Sequence, residues 1–167
     1  MELTGWNHKL TAKYFGVHRN TLSQWLKSEK GLTNGRSPSS CVQRFAFLLL
    51  YLFQAEETQK VKYINKILKG QLKPSQSATN GVDELLRRLG NDIKRTGKLL
   101  NTNNRTIRRW VADNYSQNHS GHYCRTPPAA VIQYVYFLNE LLEEKRGAKL
   151  VVKFEKNCLI GTDSGGK

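Results

Sequence analysis

The sequence predicts an all-α protein in which two copies of one helical unit are joined by a short linker, with a short strand after the second copy. Three observations lead there. First, the chain repeats itself: Thr11, Lys13, Thr21 and Trp25 recur 85 residues later as Thr96, Lys98, Thr106 and Trp110. Ala12/Gly97, Phe15/Leu100, Leu22/Ile107 and Leu26/Val111 are conservative partners at the same spacing. Second, a following block, Arg36, Pro38, Val42 and Leu49, recurs 89 residues later as Arg125, Pro127, Val131 and Leu138, with Ser37/Thr126, Phe45/Tyr134 and Phe47/Tyr136 alike in type. The four extra residues fall in the loop between the blocks, where a duplicated unit tolerates insertion. Third, 71–80 (QLKPSQSATN) is polar, contains Pro74 and has no apolar period, as a linker does. The predicted organisation is a domain over 1–70, a linker over 71–80, a second domain over 81–147, and a strand with a disordered tail over 148–167.

Within the first copy, LTAKYFGVHRNTLSQWLK places apolar or small residues at Leu10, Ala12, Phe15, Val17, Leu22, Trp25 and Leu26. That pattern predicts a helix on each side of a sharp turn. Gly16 can take the left-handed conformation that ends the first helix, and Val17 fills the corner. Leu22, Trp25 and Leu26 share one face of the second helix. The other face and the amino end are left polar and partly basic. Next, RSPSS offers Ser37 as N-cap with Pro38 at the first helical position, and RTPPA offers Thr126 and Pro127 in the same roles. Each opens a helix of about four turns. The first of these, through FAFLLLYLF, is apolar around its whole circumference, more than a unit of this size readily buries by itself. It is expected either as a fully covered core helix or packed on the other copy or a second chain. A further helix is predicted over 56–69. The segment 149–154 (KLVVKF) alternates as a short strand does, and TDSGGK reads as a disordered end.

Charge narrows the function classes. The chain carries 27 Lys and Arg against 13 Asp and Glu, a net +14 with pI near 9.9. The excess is +8 over residues 1–80 and +6 over 81–167, so the whole body is basic. A polyanion such as DNA or RNA accounts for this, because Lys and Arg gain affinity by releasing condensed counterions. Solubility alone is the plainer alternative. The longest apolar run, 45–53, is nine residues, well short of the ~20 needed to span a bilayer. MELTGWNHKL is not a secretory signal, so the expected location is the cytoplasm of a bacterial cell. Cys41, Cys124 and Cys158 are odd in number and widely separated, which predicts reduced thiols.

The turn spacing, with the small residue at Ala12, the glycine at Gly16 and the buried apolar position at Leu22, resembles the helix-turn-helix of the Cro/lambda-repressor-like family. The likeness runs through the following Trp, loop, Arg-x-Pro and apolar helix, about 45 residues in each half. In the second copy Asn101 stands for the turn glycine and Thr102 for the apolar corner. Asn also tolerates the left-handed conformation. The resemblance implies double-stranded DNA as partner and a recognition helix in the major groove, where Arg suits guanine and Asn or Gln suits adenine. It assigns base readout to His18, Arg19, Asn20, Ser23 and Gln24 in the first copy and to Asn103, Asn104, Arg105, Arg108 and Arg109 in the second. Phosphate contact or plain solvation is the alternative for each. Backbone phosphates fall to Thr11, Lys13, Lys27, Arg36, Thr96, Lys98 and Arg125. Trp25 and Trp110 could stack on bases, but they persist while the reading residues change, which marks them as core.

The two reading sets differ, so two unlike half-sites are expected. Ten extended linker residues reach roughly 33 Å, near the ~34 Å between successive major-groove faces. The expected function is a sequence-specific transcription regulator, a repressor of phage or mobile-element type, without cofactor or metal. A homodimer through the apolar helices over 38–53 and 127–142 is expected beside the DNA. A DNA-binding accessory protein for replication or recombination shares every one of these features, and a protein- or RNA-interaction module is the alternative from another class. No catalytic motif is present: there is no Walker-type loop, G-x-S-x-G or HExxH. His119, His122 and Cys124 are zinc-ligand types, but no fourth ligand accompanies them and the segment reads as a connecting loop.

Overall fold

Three helices recur in each half with the same displacement as the sequence repeat. The computed structural model describes residues 7–31, 35–54, 81–111 and 126–160. The first half holds α1 (His8–Tyr14), α2 (Arg19–Glu29) and α3 (Ser40–Gln54). The second holds α4 (Val82–Arg88), α5 (Ile93–Leu100), α6 (Asn104–Val111), α7 (Ala129–Glu143) and α8 (Lys145–Ile160). Thus α1 and α2 begin 85 residues before α5 and α6, while both ends of α3 lie 89 residues before those of α7. The predicted helix over 56–69 and the tail lie outside the described residues.

Local chemistry explains the boundaries. The Asn7 side chain accepts from the Leu10 N–H at 3.0 Å, and Asp92 accepts from the Arg95 N–H at 2.9 Å. Each therefore satisfies a donor that the first helical turn leaves free. At the other end, the Val17 N–H donates to the Ala12 carbonyl at 3.0 Å and the Thr102 N–H to the Gly97 carbonyl at 2.9 Å, closing the two turns identically. The left-handed residue between them is Gly16 at φ +62° in one copy and Asn101 at φ +51° in the other. Asn101 does keep the turn, as its short polar side chain allows.

The third helices start two residues later than predicted. Ser39, rather than Ser37, caps α3, its Oγ accepting from the Val42 N–H at 3.4 Å. Pro128, rather than Thr126, occupies the N-cap of α7 with extended backbone. A residue before proline is pushed out of the helical region, which keeps Pro127, followed by Pro128, out of α7. Among the described residues there is no strand. The predicted strand at 149–154 is the middle of α8, because the buried positions Gly147, Leu150, Val151 and Phe154 follow a helical period. Lysines at 149, 153 and 156 face water. The apparent alternation was too short to distinguish the two periods.

One buried cluster draws on both halves. Phe45, Leu48 and Leu52 of α3 meet Tyr134, Phe137 and Leu138 of α7, all of them fully buried. Leu100 and Ile107 join from α5 and α6, and Leu150, Val151 and Phe154 from α8. The apolar helix α3 therefore packs against the other copy, although Phe47 remains 61% exposed. Trp110 is buried, and Trp25 is half-buried with its ring edge-on to Phe15 at 6.0 Å.

Candidate nucleic-acid interface

Burial of Leu22 in α2 and of Ile107 and Trp110 in α6 fixes which side of each helix faces out. On α2, Asn20, Gln24 and Lys27 are exposed and Ser23 half-exposed, positions one helical turn apart along one face. Arg19 is exposed at its amino end. On α6, Arg105, Arg108 and Arg109 form an exposed face, with Asn104 half-exposed beside it. None of these arginines enters an ion pair among the described residues. Ion pairs elsewhere join Glu84 to Arg87 and Arg88, Glu143 to Arg88, and Glu155 to Arg95 at 2.8 Å. Those carboxylates lie on α4, α7 and α8, so among the described residues the arginines of α6 have no carboxylate partner. The Glu155 carboxylate grips Arg95 with two hydrogen bonds and raises its pKa, despite the opposing effect of partial burial.

His18 and Asn103, predicted as base readers, hold equivalent places as N-caps. The Asn20 N–H donates to His18 Nδ1 at 3.3 Å, and the Thr106 N–H donates to Asn103 Oδ1 at 2.8 Å. Both residues are exposed, but their accepting atoms are turned to their own helices.

Two of the predicted phosphate contacts do not reach the surface. Thr11 is 4% exposed and its hydroxyl donates to the Asn7 carbonyl at 3.0 Å, while the fully buried Thr96 donates to the Asp92 carbonyl at 2.8 Å. Their repetition reflects helix starts in the core and not a phosphate. A signal was available: each stands four residues after the capping Asn or Asp, the spacing at which a threonine bonds back to its own helix. Lys13, Lys27, Arg36 and Lys98 are exposed. Arg125 and the His119/His122/Cys124 loop lie outside the described residues. Cys41 is buried, which pushes its thiol up to about 12 and keeps it protonated.

A residue missed in the sequence is Lys94. It lies on α5 one turn before Lys98, and both line an open groove of about 610 Å³ with Ser40, Asn101, Asn103 and Asn104. This groove runs beside the amino end of α6, and Ser40 comes from the other half. The i, i+4 spacing of the two lysines was the available sign. No family model, curated protein or solved structure matches the chain. The interface is therefore argued from its own geometry. Exposed amides and guanidinium groups on two equivalent helices, backed by buried apolar faces, are equipped to donate and accept hydrogen bonds at base edges and to pair with phosphates.

Proposed function

We propose that the protein is a sequence-specific double-stranded DNA-binding regulator of the Cro/lambda-repressor-like kind, acting as a repressor of phage or mobile-element type in the bacterial cytoplasm. The helices α2 and α6 enter successive major grooves and read two unlike half-sites. Arg19, Asn20, Ser23 and Gln24 read one, and Asn104, Arg105, Arg108 and Arg109 read the other. Lys13, Lys27, Arg36, Lys94 and Lys98 hold the phosphate backbone. Repression follows from occupying a promoter.

The observation that carries this reading is that the buried framework of the two turns is alike while their exposed helix faces differ. Outward positions drift freely under selection for stability, so the weight falls on what they carry: amide and guanidinium groups on both helices, the chemistry that pairs with base edges and phosphates. Selecting bound duplexes from a random pool, then sequencing them, tests it. The expected result is an asymmetric site of two unlike halves, bound with an affinity that falls steeply with salt. A folded Arg19→Ala/Arg105→Ala/Arg109→Ala variant should lose that binding. A pool without enrichment, or equal retention on RNA as salt rises, would remove the proposal.

A further inference from the structure

Phe45 and Tyr134 are repeat-equivalent residues, 89 positions apart, and they touch each other. Their rings stack with centroids 5.0 Å apart and planes at 16°, and both are fully buried. A residue packed on its own counterpart is the mark of two-fold packing, since only positions on the axis of an isologous interface meet themselves. Contacts away from an axis should then cross between the halves, and at the level of whole elements they do. The turn of the second half meets the third helix of the first: Ser40 Oγ donates to the Asn101 carbonyl at 2.9 Å, and Asn101 Nδ2 donates to the Ser40 carbonyl at 3.4 Å. In the other direction, the turn of the first half lies against the third helix of the second, where a Cβ built on Gly16 would stand 3.2 Å from Gln133 Cβ, one helical turn beyond Ala129, the counterpart of Ser40. Gly16 and Asn101 are themselves equivalent in the repeat.

We infer that the chain is an intramolecular dimer in which the packed contact between α3 and α7, with Phe45 and Tyr134 as the positioning pair, sets the spacing between DNA half-sites. The inference rests on the DNA-binding reading. Each recognition helix leaves directly from a turn that is braced against the opposite half. A core packed at crystal-like density does not stretch continuously, so the separation of α2 and α6 takes one value. Halves joined only by a flexible tether would accept a range of spacings.

The test has one arm without DNA and one with it. In the first, a protease site is placed within 71–80 of the full chain and cut, and the product is run on a sizing column. The two fragments should elute together, and separate elution at micromolar concentration overturns the inference. In the second arm, duplex pools with variable distance between half-sites are offered to three forms of the chain. Eight Gly/Ser residues inserted within 71–80 should leave the preferred spacing unchanged and the affinity within about twofold. Phe45→Leu keeps an apolar side chain but removes the stack, and should broaden the accepted spacings at least threefold. Tyr134→Phe keeps the ring and should retain the original spacing. A preference that follows the insertion, or a folded Phe45→Leu chain with the original spacing, refutes the assignment. If fragments co-elute but the intact chain selects no duplex, the DNA-binding reading fails and with it the spacing role. A chain that selects duplexes yet falls apart on cleavage defeats only the inference.

Discussion

The turn of the first half, from α1 to α2, and that of the second, from α5 to α6, solve one folding problem with different residues. Ala12 is replaced by Gly97, Gly16 by Asn101, Val17 by Thr102 and His18 by Asn103, yet the closing hydrogen bonds and the capping positions coincide. Their outward faces diverge much more: α2 presents mainly amide and hydroxyl groups, whereas α6 presents three arginines. Physical constraint acts on the buried side through shape and on the backbone through φ, and it leaves the outward side to whatever the surface must meet. Exchanging or removing equivalent residues is therefore the direct way to probe the comparison.

The largest effect is expected where the halves join. Phe45→Ala should destabilise the fold by about 3–5 kcal/mol, through lost apolar transfer and an unfilled cavity. Because Phe45 touches Phe15, Tyr134 and Phe137, denaturant unfolding followed at probes in each half should shift together. If only a first-half probe shifts, the shared core is not one cooperative unit.

Next comes the difference in charge. Arg105→Ala, in the arginine-rich face, should weaken duplex binding by about 1–3 kcal/mol if the side chain pairs with a base. It should also relax selectivity in one half-site only, whereas Arg19→Ala should relax the other. A titration series in salt distinguishes base readers from phosphate contacts, since each lost phosphate contact lowers the salt slope by about 1. Uniform weakening across all sequences would reassign the residue to the backbone.

The turns allow a more local test. A Cβ at Gly97 would stand 2.9 Å from the Thr102 carbonyl oxygen and 3.1 Å from Asn104 Oδ1. Gly97→Ala should therefore destabilise by about 1–3 kcal/mol even though alanine is the first copy's residue at this place. Gly16→Asn imports the second copy's left-handed residue and meets Gln133 at 3.2 Å, so a smaller loss of about 1 kcal/mol is expected. Thermal denaturation would rank the two, and the reverse order would show that the crowding at Gln133 is the harder constraint.

Much of this architecture is legible in the residues themselves. The displacements of 85 and 89 anticipated where helices recur, and the tolerance of Asn for positive φ anticipated the second turn. Other features escaped for identifiable reasons. Over six residues Leu150, Val152 and Phe154 alternate as a strand does while Leu150, Val151 and Phe154 fit a helix, and the buried Gly147 extends only the helical pattern. Thr11 and Thr96 recur because their hydroxyls serve buried helix starts, and repetition alone does not separate that from a shared ligand. The pairing of Phe45 with Tyr134 was hidden because apolar periodicity identifies a buried face without naming what covers it.

The smallest effect near neutral pH is expected at Cys41, whose repeat counterpart is the buried Ala130. Cys41→Ala adopts the residue the second copy already uses, so at pH 7 the loss should stay within about 1 kcal/mol. Alkali changes the comparison. Burial raises the folded thiol from 9.0 to about 12, so the unfolded chain releases this proton first as pH climbs past 9. The unfolded state then binds fewer protons than the folded one, and stability falls between pH 9 and 12. By pH 10 the thiol should have removed about 1 kcal/mol from the native protein, a loss the alanine variant escapes. Denaturant titrations of both proteins at pH 7 and pH 10 should show their difference shrinking or reversing. A constant difference would mean that water reaches Cys41, and that the α3 side of the shared core is looser than its Ala130 counterpart on α7.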